Sequence, residues 1–96
     1  MADAAQPNQK QLQIKMSDDV LAGKYANAMQ AMHTKEEFIL DFLNLSPHQG
    51  VGVATNRVII SPGHMKRIIA ALQDNLKKYE GSFGQIEEAA SPSEVG

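Results

Sequence analysis

Ninety-six residues, with nine Lys and Arg against eleven Asp and Glu, give a net charge of −2, without the basic excess that marks a dominant nucleic-acid binder. The absence of cysteine excludes disulfides, thiolate metal sites and cysteine nucleophiles, and it fits a reducing compartment. No apolar run approaches the roughly 20 residues of a membrane span, and the first residues lack the apolar stretch of a secretory signal, so a soluble, cytoplasmic chain with no membrane role is expected.

Residues 1–11 hold no large apolar side chain beyond Met1, and residues 87–96 hold only Val95. Neither segment can bury enough apolar surface to offset the entropy of ordering it, so both are expected to be disordered tails around a single domain over 12–86. A domain that small is marginal alone and often gains from oligomerisation.

Leu12, Ile14 and Met16 alternate with Gln13 and Lys15, which predicts an opening strand broken by Ser17-Asp18-Asp19. Residues 20–33 are ambiguous. Their Ala, Met and Gln favour helix by propensity, whereas neither face of a strand built from them is strongly apolar. Residues 37–45 form a second strand, with Phe38, Leu40 and Phe42 on one face and Ile39, Asp41, Leu43 and Leu45 on the other. Residues 46–52, with Pro47, Gly50 and Gly52, read as a loop. Residues 53–60 end in Val58-Ile59-Ile60 and predict another strand. Ser61 then caps a helix with Pro62 at its first position, and Met65, Ile68, Ile69, Leu72, Leu76 and Tyr79 form its apolar stripe. Lys77 and Lys78 are expected in the last turn and Gly81 at the stop.

Taken in order, Tyr25-Ala26-Asn27, His33-Thr34-Lys35-Glu36-Glu37-Phe38, Asp41-Phe42, Arg57-Val58-Ile59-Ile60-Ser61-Pro62, Ala71-Leu72-Gln73-Asp74-Asn75-Leu76 and Lys78-Tyr79-Glu80 form a recognisable series. With these motifs the chain resembles the small bacterial and archaeal family catalogued as domain of unknown function 3467, over roughly residues 14–86. The resemblance implies that 24–33 is a strand, hairpinned to 37–45. It carries over no activity, cofactor or catalytic residue. The expected fold is α+β: an antiparallel meander of about four strands, followed by one C-terminal amphipathic helix packed across Phe38, Leu40 and Phe42. That outline is loosely similar to the bacterial export chaperones, a likeness of architecture alone.

The polar residues predict little chemistry. His33, His48 and His64 fall on three different elements without metal-ligand spacing, and His33 is expected to cap a turn. Gly50-Val51-Gly52 has neither the following lysine-serine nor the helix of a phosphate loop. Ser46 and Ser61 have no His-Asp arrangement beside them. Asp41 interrupts an apolar face and needs a partner, for which Arg57 or a lysine of another subunit is suited. No cofactor, no metal and no enzymatic activity are expected.

The leading expectation is a non-catalytic interaction or adaptor domain, at least a homodimer, with Ile39, Asp41, Leu43 and Leu45 at the interface. Met16, Met29, Met32 and Met65 could supply adaptable contact surface or ordinary core filling. The alternative is a nucleic-acid-associated regulatory domain using the basic helix face of Lys66, Arg67, Lys77 and Lys78.

Overall fold

The computed structural model describes residues 11–90. Of the two expected tails, residues 1–10 and 91–96 lie outside that range. Over these residues the chain is α+β, with a short helix, three antiparallel strands, β1 (Ala28–His33), β2 (Phe38–Ser46) and β3 (Val51–Ile60), in the order β1–β2–β3, and a long C-terminal helix.

The fourth strand is absent among the described residues. Leu12 to Met16 adopt no regular structure, and Leu12 and Ile14 are 89% and 87% exposed. Alternation identifies which side of a segment is apolar, but a strand forms only where another strand offers an open edge at matching register. The outer edges of β1 and β3 remain open, and Leu12 to Met16 pair with neither. The Ser-Asp-Asp break is instead a helix start. The Ser17 hydroxyl oxygen accepts from the Val20 N–H at 3.4 Å, and Asp18 and Asp19 sit at the positive end of α1 (Asp18–Ala22). Gly23, at φ 77°, ends it.

The family resemblance is right that the following segment is a strand, β1 (Ala28–His33), paired to β2 (Phe38–Ser46). The strand begins later than residue 24 because Asn27 closes the ladder with its side chain. Its amide nitrogen donates to the Leu45 carbonyl at 3.1 Å, and its amide oxygen accepts from the Leu45 N–H at 2.8 Å. Thr34 makes the hairpin turn. Its hydroxyl oxygen accepts from the N–H groups of Glu36 and Glu37, and its own N–H donates to the Glu37 carbonyl. The capping expected of His33 therefore belongs to Thr34, and the His33 ring lies against Phe38 at 5.6 Å.

A single 3-10 turn, Pro47–Gln49, with Gly50 left-handed at φ 65°, leads into β3 (Val51–Ile60). Only Ser61 separates β3 from α2 (Pro62–Phe83), and its hydroxyl oxygen accepts from the His64 N–H at 3.3 Å. The helix runs through Gly81 and stops at Gly84, φ 96°, whose N–H donates to the Glu80 carbonyl. Tyr79 and Phe83, with ring centroids 5.0 Å apart one turn from each other, support the extra turn and leave Lys77 and Lys78 short of the end.

The helix does not pack on its own sheet. It makes no more than marginal contact with any strand, and none of its residues is buried. Leu72, expected against Phe38, Leu40 and Phe42, is 65% exposed, while Met65 and Ile68 are half-buried. The stripe shows which side of α2 needs cover, not what supplies it. A one-residue connection also leaves the chain no length in which to turn back across β1 to β3.

Candidate interaction surface

Residues paired directly across an antiparallel sheet share a face. On the first face, Gln30, Asp41 and Arg57 form a row across the three strands. Met32, Ile39 and Ile59 flank it on one side, and Ala28, Leu43 and Ala54 on the other. Leu45 follows, opposite Gly52, where a Cβ would stand 2.7 Å from the Leu45 Cδ2. The four residues expected at an interface thus share one face, although a β-bulge interrupts the register between Phe42 and Leu43. Thr55 is the extra residue of the bulge, and its hydroxyl donates to the Phe42 carbonyl at 3.1 Å.

The second face carries the rows His33–Phe38–Ile60, Ala31–Leu40–Val58 and Met29–Phe42–Asn56. Because α2 stands away, this face is open too, where one helix-covered face was expected. Leu40 is the only buried apolar residue among those described. Residue patterning along β2 identifies its two apolar faces. The exposure of Met29, Val53 and Val58 on the outer strands follows only from the position of the helix.

Asp41 is the one buried charge among the described residues, at 7% exposure. Arg57 holds it in a two-pronged grip: Nε donates to Oδ1 at 2.7 Å and Nη2 to Oδ2 at 2.8 Å. The guanidinium hydrogen bonds hold the Asp41 carboxyl below the usual carboxylate range, aided by the arginine charge and opposed by burial. The same bonds raise Arg57, whose side chain remains 60% exposed. Both carboxylate oxygens are engaged, so the pair presents a neutralised, rigid unit in the middle of an apolar face. A depression of about 230 Å³ beside it is lined by Asp41, Ala54, Thr55, Asn56 and Arg57.

The remaining candidate residues stay apart. His33 ends β1, His48 lies in the 3-10 turn and His64 in the first turn of α2. The His64 Nδ1 lies 2.9 Å from Arg67 Nη2, and since arginine only donates, that nitrogen accepts. No three His, Cys, Asp or Glu among the described residues gather where a metal ion could be held. At about 100° per residue, Lys66, Arg67, Lys77 and Lys78 share one side of α2, with Lys66 nearest the edge of the apolar stripe and the others farther round. Asp74 lies within that basic side and pairs with Lys78 at 3.1 Å. Sequence reasoning missed Asn27, which a short amide residue at a strand entry could have signalled, and Thr34, for which the Thr-Lys-Glu-Glu turn carried the signal.

Fold and surface together define a small α+β protein, a three-stranded antiparallel meander followed by a helix that its own sheet does not cover. The chain belongs to the family described as protein of unknown function DUF3467, whose model matches residues 1–88. No curated protein and no solved structure matches it. Among the described residues, no helix is long and apolar enough to cross a membrane.

Proposed function

We propose that this chain is a non-catalytic interaction module that completes its core by self-association, using the face of Ile39, Asp41, Leu43 and Leu45. The observation that carries this reading is the burial of Leu40 alone among the apolar residues described. Ordering each residue costs about 1–2 kcal/mol of backbone entropy, and apolar burial returns about 25 cal/mol per Å². A sheet open on both faces cannot offset that cost by itself, so the missing burial comes from another chain. A two-fold copy is the simplest source, because one patch then covers itself.

Asp41 and Arg57 suit such an interface. A lone buried carboxylate would oppose association, whereas a carboxylate satisfied on both oxygens can be enclosed at far lower cost. The same pairing supports the non-catalytic reading, because the one carboxyl with a displaced pKa has no free oxygen for acid–base work. Sedimentation of the wild type and of Leu43→Asp tests the proposal. A wild-type dimer converted to monomer by the substitution is the expected result, and a wild-type monomer insensitive to it contradicts the reading.

A second reading rests on the basic side of α2, as a polyanion-binding surface of a nucleic-acid-associated regulator. Asp74 within that surface weakens it. Titration with random duplex DNA at two salt concentrations separates the two readings, since phosphate contacts produce steeply salt-dependent affinity.

A further inference from the structure

Along α2, Met65, Ile69, Leu72, Leu76, Tyr79 and Phe83 follow alternating steps of four and three, with the half-buried Ile68 beside them. That is a period of 3.5, the spacing of a seam between two helices, whereas a helix lying on a globular core typically shows a wider stripe. From Ile69 to Phe83 every seam residue is about half exposed or more.

We infer that α2 pairs antiparallel with α2 of a second copy along this seam. The inference rests on the self-association reading and specifies which element meets its own copy and in what register. In the register centred on residue 74, Met65 meets Phe83 of the other copy, Ile69 meets Tyr79, and Leu72 meets Leu76. All six seam positions then find an apolar partner, and the bulky aromatic rings lie opposite the slimmer Met65 and Ile69. The charges beside the seam follow the same two-fold. Lys66 and Glu80 flank one edge with Gln73 midway between them, so Lys66 of each copy lies beside Glu80 of the other and Gln73 lies beside itself.

The groups are available for this. Lys66 has no ion-pair partner among the described residues, and Glu80 uses one carboxylate oxygen to accept from the Ile86 N–H at 2.9 Å, leaving the other open. A parallel pair along the same seam would set Asn75 beside Glu80 and Ile68 beside Gln73, with no opposite charges in contact. Antiparallel pairing also places each positive helix end beside a negative one. Lys78 and Asp74 pair on the far side and remain outside the seam.

The absence of cysteine makes the register directly testable. Gln73→Cys is expected to cross-link into a covalent dimer with a short bis-maleimide, and Asp74→Cys, on the outer side, is not. A mixture of Lys66→Cys and Glu80→Cys proteins should cross-link as a heterodimer, while neither does so alone. Lys66→Glu should raise the dimer dissociation constant by roughly tenfold, and adding Glu80→Lys should restore it. A dimer in solution with an inert Gln73→Cys and no rescue by the charge swap overturns the helix seam, placing α2 on a sheet instead, and leaves self-association standing. A wild-type monomer at micromolar concentration overturns both and leaves the stripe to a different protein.

Discussion

Asp41 and Arg57 face each other across the β2–β3 register, and the two bonds between them, at 2.7 and 2.8 Å, neutralise the one buried charge among the described residues. The pair gives stability a defined pH dependence. The Asp41 carboxyl titrates below its ordinary value in the folded chain, so the unfolded chain binds its proton more readily. The stabilisation is fully present above the unfolded value of about 4 and is lost as pH falls through the lower, folded value. Urea midpoints measured from pH 7 down to pH 2 should fall through this window in the wild type. The Asp41 component should be missing from Asp41→Asn.

Asn27 performs a backbone task, and its removal should cost accordingly. Asn27→Ala leaves both the N–H and the carbonyl of Leu45 without their partner, so a loss of about 1–3 kcal/mol is expected in chemical denaturation. Asn27→Asp retains an acceptor but no donor, and should restore only part of the loss.

Gly52 and Leu45 share one space. Gly52→Val forces the Leu45 side chain from its position and should cost about 1–3 kcal/mol. Leu45→Ala makes room, so the double variant should be less damaged than the sum of the two single ones. Strict additivity in a double-mutant cycle would show that the contact is not the cause.

What was legible in the sequence was local. Ser61-Pro62 marked the start of α2 because cap chemistry acts within one turn. The strands around Phe38–Ser46 and Val51–Ile60 followed from alternation and β-branching. A charge on an apolar face requires a partner, and Arg57 is one of the two kinds that the sequence offers to Asp41. The four-strand expectation fails at Leu12 to Met16, because alternation marks an apolar side but supplies no pairing partner, and the segment joins neither open edge of the sheet. Ser17-Asp18-Asp19 starts a helix where a simple break is expected, because residues that stop a strand also cap a helix. The packing of α2 failed for a different reason: an amphipathic stripe specifies a need for cover, and the chain alone does not contain the surface that meets it.

The central claim is that the core is completed by a second copy, and the concentration dependence of unfolding tests it most directly. A chain that folds only as a dimer must unfold later when more of it is present, by about 1.4 kcal/mol of apparent stability per dimer for each tenfold rise in concentration. Urea unfolding of the wild type across two decades of protein concentration should therefore shift its midpoint steadily upward. The midpoint of any residual structure in Leu43→Asp should stay fixed. A cooperative wild-type transition whose midpoint does not move with concentration would contradict the account.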